Sequence, residues 1–316
     1  MPSAAHFGAW MGARQLPRGA GTPARAYPSE VSLYHLDDAS GLDQPVLVAA
    51  LDGWVDAGSA GTAAAESLAQ GGRVVATFDA DLIYDYRVRR PTLEIQDGTM
   101  VNLEWPALTV RATRLAERDL LVLTGPEPDY RWRQLGADVA ALAKELAASS
   151  WVSLGAIPAA VAHTRPVPVL GTASARGLLP DGVPQGPEGT LRVPSAALSV
   201  FEHAVTRAGI PTLGLFAQVP HYISGAYPNA SIELLKHLGR YLAIELPLGE
   251  LPGKALETRA MLDAASASDE RTKAYIERLE QLTDEARLPE GDELIADIER
   301  FLRDRGGGDE GGNRLN

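Results

Sequence analysis

The apolar run Val46-Leu47-Val48-Ala49-Ala50-Leu51 stops at a glycine-bearing turn, and the chain then continues as small residues from Ala57 to Gln70 before Gly71-Gly72. A buried strand followed by a helix is the expected reading, and Arg73 to Asp79 supplies the next strand. The same grammar recurs. Asp119–Thr124 reads as a strand, Tyr130–Ser149 as a helix, Trp151–Ile157 as a strand and Ser195–Ala208 as a helix. Pro211–Val219 then reads as a strand and Ser231–Ile244 as a helix. Strands buried on both faces and separated by helices imply a largely parallel sheet covered on each side, which is a three-layer α/β/α sandwich. The shorter segments Thr92–Gln96, Met100–Glu104 and Leu108–Thr113 suggest antiparallel additions at one edge.

The ends follow other rules. Residues 1–30 are rich in Gly, Ala, Pro and Arg without periodicity and are expected to form a flexible N-terminal arm outside a sandwich domain spanning 31–250. Past Pro252 helical periodicity places Leu256, Leu262, Tyr275, Leu279, Leu282, Leu294, Ile298 and Phe301 at apolar positions, so 251–305 is expected to be a helical appendage. From Glu250 onward there are seventeen acidic and ten basic residues, implying a solvated, charged face. The glycine-rich 306–316 tail is expected to be disordered.

Composition removes several functions. The 316 residues include no cysteine, which excludes disulfides, thiolate nucleophiles and cysteine-bound metals. The formal charge of −12 disfavours nucleic acid as a partner. No apolar stretch is long enough for a membrane-spanning helix, and nothing near the start has the apolar core of a signal peptide, so the expected location is the cytoplasm.

Four stretches could carry chemistry. In Leu51-Asp52-Gly53-Trp54-Val55-Asp56-Ala57-Gly58-Ser59-Ala60-Gly61-Thr62, the chain leaves a strand and opens a helix, where free N–H groups can hold an anion; equally, Asp56 or Ser59 caps the helix and Gly58 and Gly61 allow close packing. If Asp85–Pro91 is extended, Arg87 and Arg89 share one face and could bind a carboxylate or phosphate; alternatively they pair with Asp79, Asp81, Asp85 or a neighbouring subunit. His163 and Arg165 follow one predicted strand, and His221 and Tyr222 follow another. At the carboxyl ends of an open α/β sheet these residues could meet Asp56 and Arg87 in a ligand crevice. There is no Walker A loop, dinucleotide fingerprint, H-E-x-x-H or nucleophile elbow, and no complete catalytic constellation, metal site or cofactor site is legible.

Taken in order, Gly53-Trp54-Val55-Asp56-Ala57-Gly58, Asp85-Tyr86-Arg87 with Arg89-Arg90-Pro91, Glu127-Pro128-Asp129 before Trp132, His163-Thr164-Arg165-Pro166 and Pro220-His221-Tyr222 with Tyr227-Pro228 resemble the bacterial branch of the proteasome assembly chaperone 2 family. The resemblance covers roughly Ser32 to Leu246. It implies a sandwich similar to the purine nucleoside phosphorylase type, homo-oligomers such as a trimer, and no established catalytic activity. Eukaryotic and archaeal relatives dock on proteasome rings through a C-terminal tail of a hydrophobic residue, tyrosine and any residue. The sequence here closes with Gly312-Asn313-Arg314-Leu315-Asn316, so tail docking is not expected. The leading expectation is therefore a non-catalytic, oligomeric interaction protein of chaperone type with a protein partner. The alternative is a binding protein, hydrolase or phosphorylase for an anionic or nucleoside-like molecule. An ATP-grasp-like ligase fits least, since none of the four lysines lies in a glycine-rich loop.

Overall fold

A computed structural model describes residues 32–187 and 189–284. The chain opens with β1 (Tyr34–Leu36), β2 (Val46–Asp52), a 3-10 turn at Ala57–Ser59 and α1 (Ala60–Ala69). Next come β3 (Arg73–Phe78), α2 (Ala80–Ile83), β4 (Thr92–Gln96), β5 (Thr99–Glu104), β6 (Thr109–Leu115) and β7 (Arg118–Pro126). Then α3 (Trp132–Glu145), β8 (Ser150–Ala159), β9 (Val169–Ala173), α4 (Ala197–Arg207), β10 (Thr212–Pro220) and α5 (Pro228–Leu242) complete the α/β part, and α6 (Leu251–Ala267) and α7 (Glu270–Asp284) follow.

Eight strands form one sheet in the order β1-β3-β6-β7-β2-β8-β10-β9. The centre is parallel, with β2 between β7 and β8 and β10 beside β8. Antiparallel pairs close both sides: β6 on β7, β3 on β6 and β1 on β3 at one edge, β9 on β10 at the other. The period of two in side-chain direction divides each central strand between two cores. Val46, Val48 and Ala50 of β2 join Val152 and Leu154 of β8 under α1 and α5. Leu47, Ala49 and Leu51 face the other way with Leu121, Leu123 and Trp151, under α3 and α4. This is the expected sandwich.

The segment Leu108–Thr113 contributes β6, an antiparallel addition as expected, with β3 and β1 beyond it toward the edge. Two local expectations change. Among the described residues β4 and β5 pair only with each other and stand as a separate hairpin, with every position exposed. Residues 85–90 form a turn instead of an extended strand, since Val88 N and Arg89 N both donate to Asp85 O. The expected arm at 1–30, the helix at 291–305 and the tail at 306–316 lie outside the described residues.

Pro252, read from sequence as a break, sits in the first turn of α6, where its missing N–H costs nothing. Leu251 and Leu262 of this helix pack against the α1/α5 core, and Ile276 and Leu279 of α7 form a third small cluster with Ala162.

Candidate functional site

The turn after β2 builds the first part of the site. Asp56 is buried and makes an isolated parallel bridge to Ala156 of β8, which fixes the carboxylate beneath the start of α1. Its Oδ1 accepts from Gly61 N at 2.7 Å and Thr62 N at 3.2 Å, and its Oδ2 accepts from Thr62 Oγ1 at 2.5 Å. Ser59, the residue in the cap position, has φ +49° and makes no side-chain capping bond. Asp56 thus satisfies the orphan N–H groups from three residues further back. Burial pushes its carboxyl above the usual range, although the bonds from Thr62 and Gly61 pull the other way. Two glycines permit this packing. A Cβ on Gly61 would stand 2.6 Å from Leu154 O, and Gly58, at φ +63°, would meet Tyr227 Cβ at 2.8 Å.

The histidines lie at the ends of neighbouring strands β8 and β10, and both are engaged by the C-terminal helices. His163 is 1% exposed. Tyr222 Oη accepts from His163 N at 2.8 Å and lies 2.7 Å from His163 Nδ1, while His163 Nε2 lies 3.2 Å from Asp263 Oδ1 on α6. This geometry is satisfied by a neutral imidazole with its hydrogen on Nε2: it donates to Asp263 and accepts from the Tyr222 hydroxyl. Arg259 Nη1 donates to His163 O at 3.0 Å and its Nε donates to both Asp263 oxygens at 2.9 Å. Burial holds the His163 imidazole below its ordinary value, with the nearby Arg259 charge adding to the shift and Asp263 and Glu280 opposing it.

His221 repeats the arrangement with the other tautomer. Its Nδ1 lies 3.1 Å from Ala159 O, so it carries the hydrogen, and its Nε2 accepts from Tyr275 Oη of α7 at 3.0 Å. Tyr222 lies between the two imidazoles, with ring centroids 5.8 Å from His163 and 5.7 Å from His221 and both pairs edge-on. Burial pushes the Tyr222 hydroxyl up to about 12. Glu280 of α7 accepts from Thr164 Oγ1 and lies 3.5 Å from Arg165 Nη1. The strand-end crevice is therefore occupied by the chain's own Asp263, Tyr275 and Glu280.

The arginines take their partners elsewhere, so the site expected from sequence divides in two. Arg87 is exposed on the turn, with its N–H donating to Asp85 Oδ1 at 2.9 Å. Arg89 Nε approaches Asp129 Oδ1 at 3.6 Å, and Asp129 Oδ2 accepts from Asp85 N at 2.8 Å. Tyr130 Oη also donates to Asp85. The Asp85–Pro91 and Glu127–Asp129 motifs thus fasten to each other.

Sequence reasoning missed Arg259, Asp263, Tyr275 and Glu280 as site residues, because an acidic helix with scattered apolar positions reads as solvated. The available signal was the pairing of Tyr275 with Leu279 and Leu282 at helical spacing. Among the described residues, the buried atoms Tyr227 Oη, Asn229 Oδ1 and Ser231 Oγ, all at the start of α5, have no hydrogen-bond partner. No cluster of three or more metal-ligating side chains occurs among the described residues, and no helix there is long and apolar enough to cross a membrane.

Residues 50–266 match the PAC2 family. The fold is similar to that of a Mycobacterium tuberculosis protein of unknown function, with 30% identity and a TM-score of 0.75 over 89% of this chain and 99% of that one. A proteasome-assembly chaperone homologue from the same organism is 34% identical, with a TM-score of 0.66 over 73% of this chain and 99% of its own. A PAC2 family protein from Streptomyces avermitilis is 35% identical, with the same TM-score and the same coverages. No curated protein matches the chain.

Proposed function

Because the chain belongs to the PAC2 family, we propose that it is a non-catalytic, homo-oligomeric interaction protein of the proteasome-assembly chaperone type, acting on a protein partner in the cytoplasm. The β4–β5 hairpin is the arm through which its copies assemble. The observation that carries this reading is the hairpin's apolar face, exposed among the described residues. Leu93 stands opposite Leu103 and Ile95 opposite Met100, and all four are 45% to 73% exposed. A two-stranded hairpin is marginal on its own in water, and burial against a second copy supplies what it lacks. Exposed Val88 and Trp105 near its base extend the surface, with Trp105 packed edge-on against Tyr86 at 4.7 Å. Catalysis finds little support in the histidines, because a general acid or base must reach substrate and His163 is sealed.

Sedimentation in dilute solution tests the reading. The expected mass is two or more subunits, falling to one for Leu93→Asp/Met100→Asp with the circular dichroism of the sandwich unchanged. A wild-type monomer would overturn it.

A second reading, a protein that binds a small polar molecule, is favoured by Tyr227 Oη, Asn229 Oδ1 and Ser231 Oγ, three buried polar atoms without partners at one helix start. Native mass spectrometry of freshly purified protein separates the two: a stoichiometric small molecule released on denaturation supports binding, and apoprotein oligomers support the first reading.

A further inference from the structure

Helix α6 is apolar on two sides, and among the described residues only one of them is covered. Leu251 and Leu262 pack onto the α1/α5 core, and Arg259 and Asp263 reach His163 from the inner side of the helix. The outer side carries Leu256, Ala260, Met261 and Ala264, at the i, i+4, i+5 and i+8 spacing of one helical face. All four are exposed, Leu256 at 74% and Met261 at 65%. A helix with apolar residues on both sides is ordinarily covered on both. We propose that the outer face of α6 is the seat of a later segment of its own chain, Leu294 to Leu302, which packs there as a third C-terminal helix.

The sequence supplies the matching face. Leu294, Ile298, Phe301 and Leu302 recur at i, i+4, i+7 and i+8, while Glu293, Glu299, Arg300 and Arg303 fall on the opposite side of the same helical wheel. The sizes are complementary as well. Ala260 and Ala264 leave a shallow row along the middle of the α6 face, and Ile298 and Leu302, four residues apart in the same way, bring the bulk that fills it.

The path of the chain brings the segment to that face. A turn at Ser268-Asp269 folds α7 back along α6, so that Glu280 of α7 accepts from Thr164 while Arg259 of α6 donates to the carbonyl of the adjacent His163. Asp284, one helical turn beyond Glu280, therefore ends near the beginning of α6. From there residues 285–290 reach up to about 20 Å, and packed helix axes stand only about 8 to 10 Å apart. A helix beginning at Gly291 then runs parallel to α6, with Leu294 beside Leu256 and Ile298 beside Ala260. At about 1.5 Å per residue, 291–305 extends roughly 22 Å, close to the length of α6 itself.

A second copy of the chain is the competing occupant of this face. It would have to compete with a segment held on a short link, whose effective concentration is of the order of millimolar. The chain's own segment therefore fills the face first.

Because the sequence contains no cysteine, an introduced pair reports the contact directly. Leu256→Cys/Leu294→Cys in the full chain is expected to close a disulfide within one chain under mild oxidation in dilute solution, seen as a shift in non-reducing electrophoresis that reductant reverses. Leu256→Cys/Ala296→Cys places the second thiol at the same level on the far side of the segment, and is expected to lose that band. No disulfide within a chain from the first pair, a disulfide joining two chains, or equal yield from both pairs would overturn the proposal. Met261 supplies a second measurement on the unaltered protein. Its initial rate of oxidation by hydrogen peroxide, followed by mass spectrometry, is expected to be lower than that of a free methionine peptide in the same tube, and Ile298→Asp/Leu302→Asp is expected to abolish the difference. Equal rates in the unaltered protein, or protection that survives Ile298→Asp/Leu302→Asp, would mean that Leu294 to Leu302 does not cover the outer face of α6.

Discussion

Glu127, just past the end of β7, accepts the backbone N–H of Ala197, the first residue of α4, at 2.7 Å through Oε1. Its other oxygen accepts from Trp54 N, in the loop leaving β2, at 3.1 Å. One carboxylate therefore ties two loops at the strand ends to a helix N-terminus whose own cap residue, Ala196, has no side chain able to do so. Glu127→Ala is expected to cost about 1 to 2 kcal/mol by thermal or urea unfolding, and Glu127→Gln, which keeps one acceptor, less. Gly53→Ala should mimic the loss, because its Cβ would stand 2.5 Å from Glu127 Cβ. Equal stability of wild type and Glu127→Ala would show that solvent replaces the carboxylate.

The Asp56 cap gives a pH-dependent signature. Asp56→Ala is expected to cost about 0.5 to 2 kcal/mol, measured as a shift in the melting midpoint. Burial raises the Asp56 carboxyl, so its contribution is complete below the unfolded value near 3.9 and is lost as pH rises through the folded one. The deficit of Asp56→Asn relative to wild type should therefore be larger at pH 4 than at pH 7. A deficit that grows toward neutral pH would mean that the ionised carboxylate is the stabilised form. Loss of partner or ligand binding with an unchanged midpoint would instead make Asp56 a recognition residue.

The sandwich was legible because its signals are local. Val46–Leu51, Leu120–Leu123 and most of Leu213–Val219 are near-continuous apolar runs, as strands buried on both faces must be, and each is followed by helical spacing. β9 and β1 were not, since Val169–Ala173 follows two prolines and Tyr34–Leu36 has only three residues; both become strands by pairing with a neighbour already in place. The same limit divides the site. Asp56 as a cap is a matter of six residues, whereas the His163–Asp263 and His221–Tyr275 contacts span 100 and 54 positions, and no spacing rule reaches that far. The histidines follow strands and Arg87 was expected to meet them at the carboxyl ends of the sheet, but sequence does not say which face each loop leaves on.

Removal of the C-terminal helices tests how far the sandwich depends on them. A chain ending at Glu250 retains both cores flanking the sheet and loses the small cluster of Ala162, Ile276 and Leu279 together with Leu251 and Leu262. It is expected to unfold cooperatively with a lowered midpoint. Limited proteolysis of the full chain should cut early between Leu248 and Lys254, leaving a folded core. A truncated chain that does not fold would make α6 and α7 part of the central core.

The two tyrosines that hold the histidines should differ in cost, although each loses one hydroxyl on replacement by phenylalanine. Tyr222→Phe leaves His163 N and Nδ1 without a partner beside a side chain that is 1% exposed. An unpaired buried donor costs about 1 to 3 kcal/mol, and water has no ready access to replace the hydroxyl. Tyr275 is 43% exposed, so in Tyr275→Phe water can reach His221 Nε2 in its place. The net value of an ordinary hydrogen bond, about 0.5 to 1.5 kcal/mol, is then an upper limit. Urea unfolding of both variants at pH 8 should rank Tyr222→Phe as the more destabilised by at least about 0.5 kcal/mol. The reverse order would place the stronger attachment of the C-terminal helices at His221, and would mean that Tyr222 holds its position through the packing of its ring between the two imidazoles and not through its hydroxyl.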